Sequence, residues 1–149
     1  MEQTTHMNEE ISYHIVMLAH AHRQWAEEAL NRLGLYTGQE HILFLLYQED
    51  GLTATQLTAR FDVGLATIVK SIQRMERAGI VVRRPDPTDR RASRVYLTER
   101  GRSLYEPALQ IWHALAECTV RGMSEIEQVL FRRLIQQAVT NLVSDDDEP

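Results

Sequence analysis

The chain holds one cysteine, Cys118, and one lysine, Lys70, among 149 residues. A lone cysteine excludes an intramolecular disulfide and a metal cluster built on thiolates. No apolar run approaches the roughly 18 residues that a membrane-crossing helix needs. The start, Met1-Glu2-Gln3-Thr4-Thr5-His6, has no basic region followed by an apolar stretch. A signal peptide is therefore not expected, and the chain reads as cytoplasmic, with no membrane partner. Gly-x-Ser-x-Gly, a phosphate-cradling glycine loop and His-Glu-x-x-His are all missing. Those absences argue against an enzyme and imply no cofactor. There is no internal repeat, and low complexity is confined to the acidic tail, 144–149, which is expected to be disordered.

What is present is ordinary in amount and unusual in distribution. A hydrophobic fraction of 44% and a charged fraction of 25% are those of a globular chain, and the length suits one domain with or without an attached oligomerisation element. The formal net charge is −5, yet residues 60–102 hold eleven cations against five acids, a net of +6, so the remainder sums to −11. The cations are Arg60, Lys70, Arg74, Arg77, Arg83, Arg84, Arg90, Arg91, Arg94, Arg100 and Arg102. An acidic chain with its positive charge gathered in one stretch has a patch suited to a polyanion, where neutralised phosphates release counterions.

The pattern around that patch predicts a nucleic-acid reader. Residues 8–33 read as a long helix with Ile11, Ile15, Leu18, His22, Trp25, Ala29 and Leu33 in register, stopped by Gly34. A second helix spans about 37–49, with Ile42, Leu43, Leu45 and Leu46 apolar. Thr53 and Gln56 form a capping-box pattern that opens a short helix carrying Leu57 and Phe61 inward. After the turn Asp62-Val63-Gly64, a helix over 65–78 presents Ile68, Ile72 and Met75 to one face, with Gly79 at its C-terminal end. The period then changes. Ile80–Arg84 and Ser93–Leu97 read as two strands around a loop rich in Pro, Asp and Arg, which makes a hairpin with a cationic tip. Thr98 caps a helix expected to run to about Arg121 with a bend at Pro107. Ser124 and Glu127 open a last helix with Ile126, Val129, Leu130, Leu134, Ala138 and Leu142 in register.

Helix, tight turn, helix and cationic hairpin together make a winged helix-turn-helix. Its second helix is free to enter a major groove, with Thr67, Lys70, Ser71 and Arg74 on the exposed face within reach of bases and phosphates. The wing can place an arginine in the neighbouring minor groove. Three stretches of the chain carry a likeness to a known family: Gly51-Leu52-Thr53; Arg74-Met75-Glu76-Arg77-Ala78-Gly79-Ile80-Val81; and above all Asp86-Pro87-Thr88-Asp89-Arg90-Arg91 running on to Val95-Tyr96-Leu97-Thr98-Glu99-Arg100-Gly101. On these residues the chain resembles the MarR family of bacterial transcription regulators. The likeness follows helix order over about 8–143 and is strong over 37–101.

The resemblance implies a mainly α fold: a winged helix-turn-helix of about six helices with a small β-hairpin wing and an interlocked helical dimerisation region. That region would comprise 8–35 and 102–143, and the DNA-binding lobe 36–101. It also implies a homodimeric, DNA-binding repressor on a pseudo-palindromic operator, released by a small aromatic or phenolic effector. The first and last two helices support the dimer independently, because they carry more apolar surface than one small lobe can cover and are too acidic to face DNA. One departure concerns the start of the recognition helix, where the family often has Ser followed by polar residues or Pro. Here Gly64, Leu65 and Ala66 leave either apolar contact with thymine methyls or readout by DNA shape.

Each candidate has a plainer alternative. Arg90, Arg91 and Arg94 are expected to contact DNA while Asp89 braces the wing by pairing with Arg91 or Arg94; a solvated salt-bridged loop is the alternative. In the resembled family a wing Asp–Arg pair is structural, so one of Arg91 and Arg94 is a brace and not a reader. Glu40-His41 with His113 and Glu117 suggests a metal-responsive variant, and Cys118 a redox-responsive one; interhelix histidines and a packing cysteine are the commoner roles, and no metal site is assigned. The aromatics Tyr13, Trp25, Tyr36, Phe44, Tyr47 and Trp112 are core or line an effector cleft. A winged-helix module that binds only protein would not need a net +6.

Overall fold

The computed structural model describes residues 10–144. Apart from Ser144, the tail expected to be disordered lies outside the described residues. Ten elements follow in order: α1 (Ile11–Asn31), α2 (Gln39–Gln48), β1 (Leu52–Thr53), α3 (Ala54–Thr58), α4 (Leu65–Arg77), β2 (Val81–Pro85), β3 (Ser93–Leu97), α5 (Glu99–Ser103), α6 (Tyr105–Thr119) and α7 (Glu125–Ser144). The fold is mainly α with a winged helix-turn-helix. Seven helices are described where about six were expected. No described helix is long and apolar enough to cross a membrane.

Local chemistry sets the helix-turn-helix. The Thr53 hydroxyl accepts from the Gln56 N–H at 3.2 Å while the Gln56 side chain accepts from the Thr53 N–H at 2.9 Å. This reciprocal cap starts α3. α4 buries Ile68, Ile72 and Met75. It ends in a Schellman turn: Ile80 N–H donates to Met75 O at 2.9 Å and Gly79 N–H to Glu76 O at 3.0 Å, with Gly79 at φ +72. That turn redirects the chain straight into β2.

The sheet has strand order β1-β3-β2, antiparallel throughout. Its register pairs Val81 with Leu97, Arg83 with Val95 and Pro85 with Ser93. β1 was not expected; its two residues pair Leu52 with Val95 and Thr53 with Arg94. A two-residue strand has no periodicity to betray it. Gly51, just before β1, lies at φ +78, and a Cβ there would sit 2.8 Å from the Tyr96 ring, so the close approach of β1 to β3 requires glycine.

The expected single helix over 98–121 is two helices. Thr98 caps α5, its hydroxyl accepting from Gly101 N–H at 3.0 Å and donating to Gly79 O at 2.6 Å. The break falls at Leu104, ahead of Pro107. Pro107 does not bend a helix interior; it sits in the first turn of α6, where its missing N–H costs little.

The core lies under the sheet and helix-turn-helix, and includes Leu43, Leu46, Leu57, Met75, Ile80 and Val95, together with Leu30 from α1 and Ala108 and Leu115 from α6. Burying each large aliphatic side chain contributes about 1.5–3 kcal/mol. In α1 the buried residues are Ala26 and Leu30, which the expected stripe omits. The stripe's first members, Ile11, Ile15 and Leu18, are exposed along with Val16 and Met17. Within one chain the packing divides into a compact unit ending at Leu115 and a second from Ala116 onward. In the second unit α7 opens with Glu127 accepting from the Ser124 N–H at 2.7 Å. None of its residues is buried, and Ile126, Val129, Leu130, Leu134, Ile135, Val139, Leu142 and Val143 are all exposed.

Candidate nucleic-acid interface

The burial of Ile68, Ile72 and Met75 turns the opposite face of α4 outward. Thr67, Lys70 and Arg74 are exposed there and Ser71 is half-buried. Arg74 is held by an aromatic ring: its guanidinium carbon lies 5.9 Å from the Tyr36 ring centre, in the turn between α1 and α2. No pattern in the sequence marks Tyr36 for this contact. At the start of α4, Gly64 is the N-cap and supplies no side-chain hydrogen bond. Val63 and Leu65 on either side of it are large apolar residues left exposed.

The wing tip is built around Asp86, which is buried. One carboxylate oxygen accepts from the Thr88 N–H and the Thr88 hydroxyl, both at 2.8 Å, and from the Asp89 N–H at 3.3 Å. The other accepts from Arg94 Nε at 2.8 Å, and Arg94 Nη1 donates to Gly51 O at 2.9 Å. The Thr88 hydrogen bonds, with Asp89 N–H and the Arg94 charge adding to them, lower the Asp86 carboxyl to about 2 against the opposing cost of burial. Asp86 and Arg94 thus tie the wing to the strand that leads into the helix-turn-helix.

This corrects the role expected of Asp89. Its carboxylate takes the backbone N–H of Arg91 at 2.9 Å and pairs with no guanidinium among the described residues. The reason is register. Pro85 pairs with Ser93, and Asp86 N–H donates to Ala92 O at 3.0 Å, so Asp86 lies diagonally across the ladder from Arg94. Asp89 is left in the turn, where an aspartate bonds the backbone two residues on. Of the two arginines between which the brace was open, Arg94 is the one that is pinned. Arg90 and Arg91 stand exposed at the tip.

The same sorting runs through the cationic segment. Arg60 pairs with Glu49 at 2.9 Å, Arg83 with Glu76 at 2.7 Å, and Arg102 with Asp50. Arg84 lies 5.2 Å over the Tyr96 ring, and Arg77 Nε donates to Gln73 O at 3.3 Å. Among the described residues of this segment, Lys70, Arg90, Arg91 and Arg100 are the cations whose side chains make no ion pair, ring contact or hydrogen bond. Three of these four lie on the α4 face or the wing tip.

Two of the histidines, His22 and His41, join an aromatic cluster. The His41 ring lies 5.3 Å from Trp112 and 6.4 Å from Phe61, and the His22 ring 5.9 Å from Trp112. His41 Nε2 is 3.5 Å from the buried Glu40 carboxylate. Among the described residues no group of three or more His, Cys, Asp or Glu side chains is placed to hold a metal ion. Cys118 is half-buried.

A recognition helix with an outward polar face, a short bracing helix before it and a braced cationic hairpin beside it define the class: a winged helix-turn-helix transcription regulator. The MarR family model matches residues 35–93, the whole of this lobe up to the start of β3. The chain is 24% identical over 128 residues to the transcriptional repressor IacR of Pseudomonas putida, spanning 84% of this chain and 77% of that protein. It is 32% identical over 113 residues to a putative regulatory protein for the hcr operon of Thauera aromatica, spanning 76% of this chain and 57% of that one. The Staphylococcus aureus MepR–DNA crystal structure superposes with a TM-score of 0.79 at 25% identity, covering 89% of this chain and 98% of that one. The chain thus matches the MarR family over its winged helix-turn-helix lobe and is similar to structures of that family over most of its length. It is a transcription regulator and not an enzyme.

Proposed function

We propose that the protein binds double-stranded DNA as a cytoplasmic homodimer on a pseudo-palindromic operator and acts as a repressor. The observation that carries this reading is the selective freedom of Lys70, Arg90 and Arg91. In a segment where most other cations are paired or stacked, these three point outward from the recognition helix and the wing tip. Lys70 and the two wing arginines hold phosphate or the minor groove. Thr67, Ser71 and Arg74 face the major groove, and Arg94 acts as the brace with Asp86. The dimer places two recognition helices in successive major grooves about 34 Å apart.

The exposed apolar residues of α1 and those of α7 are the support for homodimerisation, since unpartnered apolar helix faces of that length are a liability in a monomer. Release by a small aromatic or phenolic effector follows if the effector binds one helix spacing better than the other. Trp112 favours such a ligand. Its Nε1 is a buried donor with no hydrogen-bond partner, among the rings of His22 and His41. An aromatic acid or phenol offers that cluster both a ring and an acceptor.

Two measurements test the reading. Selection of bound duplexes from a random pool should enrich an inverted repeat, with affinity falling steeply as salt rises. Sedimentation should give a dimer, and deletion of 124–149 should give a poorly soluble or unfolded chain. A soluble monomer from that truncation that still binds DNA would refute the dimer, and affinity independent of salt would refute the phosphate-holding face.

A further inference from the structure

We infer that Leu65 and Val63 are specificity-determining residues that recognise thymine by packing on its C5 methyl group. The inference rests on the DNA-binding reading above and names what its recognition helix reads. Among the described residues outside α1 and α7, the exposed large hydrophobics are Tyr36, Tyr47, Val63 and Leu65. Tyr36 is under Arg74 and Tyr47 is stacked on Tyr105 at 3.7 Å between ring centres. Val63 and Leu65 have no such aromatic partner, with 45% and 48% of their surface exposed. Both flank Gly64, the N-cap of the recognition helix.

That position is the one whose side chains meet base edges when such a helix enters the major groove. The rest of the helix start offers little hydrogen bonding: Gly64 has no side chain and Ala66 no polar atom. Four edge patterns face a protein in the major groove, and only thymine adds a methyl group to its pattern. An exposed Leu and Val on a surface of net positive charge suit that methyl and no other base feature. Polar residues begin with the hydroxyl of Thr67 and continue one turn further on at Lys70, Ser71 and Arg74, so the helix would read a thymine-containing step first and purine or phosphate groups beyond it. The alternative left by the sequence, readout by DNA shape alone, needs no apolar residue at this point.

The test removes the methyl group and nothing else. In the tightest-binding duplex selected from a random pool, each thymine is replaced in turn by 2′-deoxyuridine, which keeps base pairing and every hydrogen-bonding edge. At one or two symmetry-related positions the affinity of the parent protein should fall about fourfold per methyl, the transfer value for one buried carbon group. Leu65→Ala and Val63→Ala together should abolish that sensitivity. Leu65→Met, apolar and similar in reach, should preserve it. Circular dichroism should show the variants folded, since both sites are exposed. Thymine-to-uracil replacement without effect at every position overturns the inference while leaving DNA binding intact. So does methyl sensitivity that persists in the folded double variant. Failure of the pool to enrich any duplex overturns the DNA-binding reading itself, and this inference with it.

Discussion

The partition of cations in this lobe predicts different salt behaviour for residues of equal formal charge. Lys70 and Arg90 make no ion pair among the described residues, whereas Arg94 is bonded to a buried carboxylate and a backbone carbonyl. A side chain that neutralises a phosphate contributes about 0.9 to the log–log slope of affinity against salt. In the proposed homodimer each residue occurs twice, so Lys70→Ala or Arg90→Ala should lower the slope by about 1.8. Between 50 and 200 mM salt the variant would then lose about twelvefold less affinity than the parent. Arg94→Ala removes a charge that Asp86 already balances. It should weaken binding at every salt concentration with the slope unchanged, because the loss is in wing order and not in counterion release. Fluorescence anisotropy on one selected duplex at four or more salt concentrations measures all three. If Arg94→Ala flattens the slope as much as Arg90→Ala, the Asp86 pair opens to DNA and the sorting is wrong. If Lys70→Ala keeps the parent slope, the helix does not lie against phosphate as argued.

Gly101→Ala should destabilise the fold, because a Cβ there would stand 2.2 Å from the Ile80 carbonyl oxygen; overpacking of this kind costs about 1–3 kcal/mol, and urea unfolding reads it directly. Asp86 has a folded pKa of about 2, below its ordinary value. Its contribution to stability is therefore fully present above the ordinary carboxylate pKa and is lost as pH falls toward 2, so the parent should lose stability over that window more steeply than Asp86→Asn, a difference that thermal melts across the acid range would reveal. Tyr36→Leu should weaken binding in the parent and add no further loss in an Arg74→Ala background, whereas Tyr36→Phe should bind like the parent. Equal losses in both backgrounds would show that Tyr36 acts without Arg74.

Local signals made the helix-turn-helix legible without coordinates. The Thr53–Gln56 cap, the 68–72–75 spacing and the glycine after α4 each act within one turn of chain, so they can be read along the sequence. The wing's two long strands were legible for the same reason, from the change of period to two. The gathering of positive charge into residues 60–102 of an otherwise acidic chain pointed to a polyanion, because where charges fall along the sequence does not depend on fold.

Contacts between residues far apart in the chain had to be seen in space. Arg94 meets Gly51, Thr98 meets Gly79 and Tyr36 meets Arg74, and no local pattern encodes such meetings. The brace on the wing went to Asp86 and not to Asp89 because antiparallel register, once set by Pro85 against Ser93, decides which carboxylate faces the guanidinium. The break ahead of Pro107 followed from where α5 is pinned by Thr98, an anchoring that the proline by itself does not dictate. Above all, sequence placed eleven cations in one stretch, but only the tertiary structure separated those already satisfied by partners from Lys70, Arg90 and Arg91, since pairing depends on side chains that chain folding brings together.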